Sequence, residues 1–248
     1  MASGVHANDS VPPQIRLMIY AQDGLGLGHM RRTTSIAAEL IKLQPDAVVL
    51  TVEDSPLGNF FRTSPNHDYV KLPSIKKVRP GDWRAVNLPL RFEEVRALRE
   101  QLIRSVALNF RPDILLVDHM PHGAMGELRP ALEALRRIVP QSRLVLGLRD
   151  IIDAPDVVRR RWQLEGAYEA MQRFYDLVLV YGSRDVFDLA NQYRLPEAWR
   201  GRSGIAVISA LPPWRAMRSV SALSTRTVPR PAPSWWWRWR AAGPMRIR

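Results

Sequence analysis

The stretch IRLMIYAQDGLGLGHMRRTTSIAAEL, Ile15–Leu40, carries three signals in a row. Ile15–Ala21 is apolar apart from Arg16, which suits a strand buried on both faces, as in a parallel sheet. Gly24, Gly26 and Gly28 then alternate with other residues. After them, Ile36, Leu40 and Leu43 fall at helical spacing and stop before Pro45. A glycine-rich turn between a first strand and a first helix lets backbone N–H groups approach an anion at the positive end of the helix dipole.

The same alternation continues along the chain. Ala47–Glu53, Asp68–Pro73, Asp113–Asp118, Arg143–Asp150 and Asp176–Gly182 read as strands. Phe92–Phe110 reads as an amphipathic helix with Val95, Leu98, Leu102 and Val106 on its apolar stripe. Glu127–Val139, with Pro130 near its first turn, residues 155–175 as one helix, and Ser183–Tyr193 with Ser183 as N-cap are the other helices. Residues 74–90 read as a long loop. Strand–helix alternation of this kind predicts an α/β, doubly wound, mostly parallel Rossmann-like sheet. It should span residues 14–197, behind a flexible N-terminus at 1–13 and ahead of an irregular tail at 198–248. Ligands of such sheets sit at the carboxyl ends of the strands. That selects the loop after Ala21, Asp118–Gly123, Arg149–Asp150 and Gly182–Arg184.

Composition excludes several chemistries. The chain has no cysteine, so disulfides, thiolate metal sites and cysteine nucleophiles are absent. No apolar run approaches the roughly 20 residues of a membrane span, and the polar N-terminus does not read as a secretory signal. The expectation is a cytoplasmic protein, with peripheral contact at the inner membrane face left open. The net charge of +12 suggests a nucleic-acid partner, but its distribution argues otherwise. From Ala198 to Arg248 there are ten arginines, no lysines and no acids, together with six of the eight tryptophans. The first 197 residues hold 26 basic and 24 acidic side chains, so the body is near neutral.

Three readings of the glycine loop stand side by side. One is a tight turn with no ligand. One is a dinucleotide fingerprint with Glu53 as the acid ending the second strand, against which the spacing G-x-G-x-G and the bulk of His29 both count. The third is a resemblance. Asp23–Arg32 followed by TTSIAAEL resembles the first loop and helix of GT-B glycosyltransferases, above all the MurG-like group, with a glycine-rich turn closed by Gly-His. Members have two Rossmann-like domains, the N-terminal one holding the acceptor and the C-terminal one binding a nucleotide sugar. The resemblance implies that Gly24, Gly26 and Gly28 let the loop approach the donor diphosphate. It implies that His29 is a general base or a hydrogen-bonding group for the acceptor hydroxyl, with a helix-start cap as the plainer alternative. Arg31 and Arg32 would face phosphate, one of them being solvated instead.

Asp118 ends a strand at the same edge and would act as a base or orient His119 or His122. The two histidines are either acceptor-site groups or parts of a polar loop. Arg149 and Asp150 are either a local ion pair or substrate-binding groups. No third ligand stands at a metal-binding spacing, so neither a metal nor another cofactor is expected.

The tail admits three readings: a nucleic-acid arm, a membrane-surface segment, or translation in a shifted frame. Read from the third base of each codon, Trp235–Trp236 and Trp236–Trp237 each force valine, and permitted codons turn the last residues into a Val-rich strand and a Gly-rich loop. The same offset turns RGRSGIAVISA into a strand like the one that links the two domains in the resembled family. The expectation is a glycosyltransferase-like protein acting on a nucleotide-sugar donor and an unidentified acceptor, truncated near Trp199–Gly201 and weakly active or inactive alone. No specific nucleic-acid partner is expected. The alternative is a non-catalytic anion- or nucleotide-binding module whose basic tail holds RNA or anionic membrane.

Overall fold

A computed structural model of the chain describes residues 14–22, 27–55, 65–79, 82–182, 185–196, 199 and 205–208. Among the described residues there are nine strands and six helices. They run β1 Arg16–Ala21, α1 Leu27–Leu43, β2 Val48–Glu53, β3 His67–Lys71, β4 Ile75–Arg79 and β5 Asp82–Ala85. Then come α2 Phe92–Phe110, β6 Ile114–Asp118, a 3-10 turn at Ala124–Gly126, α3 Arg129–Ile138 and β7 Arg143–Arg149. α4 Pro155–Leu164, α5 Ala167–Phe174, β8 Leu177–Tyr181, α6 Leu189–Gln192 and β9 Ile205–Ile208 complete the order.

Seven strands form one sheet in the order β3-β2-β1-β6-β7-β8-β9, and every neighbouring pair is parallel. The expected doubly wound α/β architecture is therefore present. β1 stands where the order reverses: the chain first builds outward through β2 and β3, then returns to lay β6, β7, β8 and β9 on the other side. β1 is buried on both faces, as its unbroken apolar run requires. Leu17 and Ile19 pack with Ala37, Ile36 and Leu40 of α1. Met18 and Tyr20 join the opposite core, with Ile103 and Ala107 of α2, Leu128–Leu135 around α3, and Met171 and Phe174 of α5.

Several elements differ from the sequence reading. Residues 74–90 contain an antiparallel hairpin of β4 and β5, whose Ile75 is buried with Val95 and Ala124. β4 carries three basic residues and buries only Ile75, and β5 is half-buried, so neither strand gives an alternating apolar signal and the hairpin is hidden. The helix expected over 155–175 is two helices, broken where Gly166 takes φ +68°. The last helix is short and is capped by Asp188, whose carboxylate accepts from Asn191 N at 3.2 Å; Ser183 lies outside the described residues. α2 spans the expected residues, but its buried line is Val95, Arg99, Ile103 and Ala107, while Leu98 is 40% exposed. The sheet also continues past residue 197: Trp199 is buried in the main core, and β9 pairs in parallel with β8. The remainder of the tail, residues 209–248, and the N-terminal 13 residues lie outside the described residues.

Candidate functional site

In an open parallel sheet the crevice at a reversal of strand order lies outside the carboxyl ends of the two central strands, because their crossovers leave to opposite faces. Here those strands are β1 and β6. α1 returns from the end of β1 and carries His29 and Arg32 in its first turns, while Asp118 is the last residue of β6. The three meet. His29 Nδ1 lies 2.5 Å from Asp118 Oδ2, and Arg32 Nη1 lies 3.1 Å from Asp118 Oδ1. The Asp118 side chain is fully buried, whereas His29 and Arg32 keep 25% and 23% of theirs exposed.

The contact selects a tautomer. An ionised carboxylate only accepts hydrogen bonds, so against it Nδ1 donates, and a neutral ring then has Nε2 as its acceptor. Arg32 offsets the buried carboxylate charge and stacks over the Tyr181 ring, its guanidinium carbon 4.6 Å from the centroid. Tyr181 lies across the neighbouring strand: a Cβ added at Gly147 would sit 1.9 Å from its hydroxyl oxygen. Burial pushes the Tyr181 hydroxyl well above its usual range, with the Asp118 charge adding to it. That hydroxyl is buried without a hydrogen-bond partner among the described residues.

His119 follows Asp118 with φ +73°, a left-handed backbone that a histidine adopts at a cost. Its ring is 5.7 Å from that of His29, and its Nδ1 is buried without a partner among the described residues. Burial pulls its pKa down to about 4, and the neighbouring His29 adds to the shift, so the ring is neutral at ordinary pH. A hydroxyl that reached His29 would therefore meet two imidazoles, one oriented by a carboxylate and one uncharged.

The other expected residues are distributed differently. Gly24 and Gly26 lie outside the described residues. Gly28 is the second residue of α1 and exposed, and a Cβ there would meet no described atom within 4 Å, so the space beside it is open. Arg31 is exposed on α1, and its neighbour Arg32 is the arginine that reaches Asp118. Asp118 pairs with His29 rather than with His119 or His122. His122 points toward α5 and packs edge-on to Phe174 at 6.3 Å. Arg149 is exposed at the end of β7. Asp150 accepts from Ile151 N at 2.8 Å and packs against Gly182; no ion pair joins it to Arg149. Among the described residues no group of three or more His, Cys, Asp or Glu side chains could hold a metal ion, and no helix is long and apolar enough to cross a membrane.

A second polar cluster, which the sequence reading missed, lies on the opposite face of β1. Arg99 is fully buried and reaches Glu127 Oε2 at 2.5 Å, Gln22 Oε1 at 2.6 Å and the Pro73 carbonyl at 2.5 Å. Tyr20 donates to Glu127 Oε1 at 2.6 Å, and Gln22 Nε2 donates to Asp54 Oδ2 at 2.8 Å. Burial lowers the Arg99 pKa, but its hydrogen bonds to Glu127 and that carboxylate's charge outweigh this and leave it raised. The cluster ties together the exits of β1, β2 and β3, and Gln22 is the residue at which the glycine loop begins. The only signal for it in the sequence is a charged residue four positions from Val95 and four from Ile103, inside a buried helical line.

No protein family matches the chain, and no curated protein matches it. Among solved structures it is similar to a glycosyltransferase from Rickettsia africae, at 10% identity and a TM-score of 0.49, over 79% of this chain and 43% of that one. It is similar to a UGT transferase from Siraitia grosvenorii in complex with UDP, at 11% identity and 0.46, over 78% and 50%. It is similar to Anabaena HepE in complex with UDP-glucose, at 13% and 0.44, over 79% and 44%. The chain thus spans half or less of the length of each of these. TM-scores below 0.5 at such identities carry no functional argument, and the fold rests on the strand order given above.

Proposed function

We propose that the chain is the acceptor-side half of a glycosyltransferase that takes its sugar from a nucleotide-sugar donor. The observation that carries the proposal is the contact of His29 Nδ1 with Asp118 Oδ2 at the point where the strand order reverses. In this reading the acceptor hydroxyl gives its proton to His29 Nε2 as its oxygen bonds to the anomeric carbon. The bond from that carbon to the donor diphosphate breaks, and the diphosphate leaves with the electron pair. Asp118 holds the ring and offsets the charge that forms on it. Open space at Gly28 and the N–H groups of the first turn of α1 face the diphosphate. His119 hydrogen-bonds the acceptor.

Transfer requires donor and acceptor in aligned geometry, so a chain supplying one wall of the cleft turns over slowly. The same reading extends to residues 198–248 as out-of-frame sequence, which the codons downstream of Glu197 test. Prolonged incubation of the 248-residue chain with a panel of nucleoside-diphosphate sugars and hydroxyl acceptors tests the function. Slow transfer that falls by about 100-fold or more in His29→Ala is expected. Transfer unchanged in His29→Ala contradicts the proposal.

A further inference from the structure

On the face of the sheet opposite α1, a groove of about 550 Å³ runs between α2, α3 and α5. Its volume is on the scale of small-ligand sites. Four guanidiniums line it: Arg104 from α2, Arg136 and Arg137 from α3, and Arg173 from α5, with Glu133 as the carboxylate among them and Phe174 on the wall. Two of the four are already committed. Arg136 donates to the Phe174 carbonyl at 3.0 Å and pairs with Asp176 at 2.9 Å. Arg173 pairs with Glu133 at 3.2 Å and lies 4.9 Å over the Phe174 ring.

The other two are not. Arg104 and Arg137 form no ion pair or hydrogen bond among the described residues. The reason is local. Each has a glutamate four residues earlier on its own helix, where a helical ion pair would form. Glu100 is instead taken by Arg96 at 2.8 Å, and Glu133 by Arg173. Two exposed guanidiniums from two different helices therefore line one groove, neither of them paired among the described residues. Guanidinium forks match phosphate oxygens, and a dianion would offset both charges at once.

We propose that this groove binds a phosphate-bearing ligand through Arg104 and Arg137, at a site separate from the His29 crevice. The shared chemistry is the phosphate dianion, carried either by a soluble molecule or by a lipid headgroup.

The test compares the full 248-residue chain with the double variant Arg104→Gln/Arg137→Gln, because the ten arginines of the tail are then present in both. Glutamine keeps helix propensity, and circular dichroism checks that the fold persists. One arm titrates inorganic pyrophosphate by calorimetry; the other sediments the protein with phosphatidylcholine vesicles with and without phosphatidic acid, both at about 0.15 M salt. Binding weaker by about tenfold in the double variant is expected in one arm. Loss of pyrophosphate binding identifies a soluble ligand, and loss confined to vesicles identifies a headgroup. Equal binding by both proteins in both arms, or no binding by either, overturns the proposal.

Discussion

His29 and Asp118 are 89 residues apart in the chain, and their side chains meet at 2.5 Å. Neither residue alone distinguishes a capped helix from a site. Their pairing falls at the reversal between β1 and β6, the crevice in which open sheets accept ligands. Asp118→Asn keeps the shape but removes the charge that holds the imidazole and receives Arg32. Transfer is expected to fall by about 100- to 10,000-fold, with a stability loss of about 1–3 kcal/mol. Rates in the variant, with a urea melt as control, check both.

Arg99 is fully buried among its carboxylate partners. Arg99→Met leaves Glu127 and Asp54 buried without their cation and is expected to destabilise the chain by about 3–5 kcal/mol. Adding Glu127→Leu should recover part of that loss, since a carboxylate without its cation then leaves the core. Urea midpoints of the single and double variants measure the coupling; equal midpoints for the two would show that Glu127 is not the principal partner.

Gly147→Ala drives a methyl group into Tyr181, whose ring carbon Cζ would lie 2.5 Å from it. A loss of about 1–3 kcal/mol is expected from the forced displacement. The second change Tyr181→Leu should relieve it by removing the ring. If Gly147→Ala alone melts like the wild type, the ring does not lie across that strand.

Acid should weaken the fold through His119. Burial, the first cause, and then His29, with smaller contributions from Arg161 and Arg149, lower its pKa to about 4, against the opposing effect of Asp118. Because the folded chain resists protonating this ring, its contribution is complete above the unfolded value of about 6.5 and is lost as pH falls toward 4. The full effect is at most about 3 kcal/mol. His119→Asn tolerates the left-handed backbone and removes the titration. The drop in stability between pH 7 and pH 4.5 should therefore be smaller in the variant than in the wild type.

The architecture was legible because burial on two faces writes itself into continuous apolar runs such as Ile15–Ala21, and because strand–helix alternation limits the topologies. The edge carrying the site was legible for the same reason. The pairing within it was not. Whether Asp118 turns to His29 or to His119 depends on which face of β6 its side chain takes and on how α1 returns across the sheet, and no local pattern encodes either. Arg99 was hidden more deeply: hydrophobic periodicity treats a charge as a surface mark, so a buried arginine shifts the apparent stripe toward the exposed Leu98. The break at Gly166 leaves no decisive signal, because one glycine in a helical pattern is tolerated more often than it ends the helix.

Nitrogen-15 spectra of the His29 ring test most directly whether Asp118 sets this histidine to take a proton through Nε2. In the neutral ring, Nδ1 should be the protonated nitrogen and Nε2 the bare one, and Asp118→Asn should abolish that preference. A neutral ring protonated on Nε2, or a tautomer indifferent to the change at Asp118, would contradict the assignment of His29 as the base.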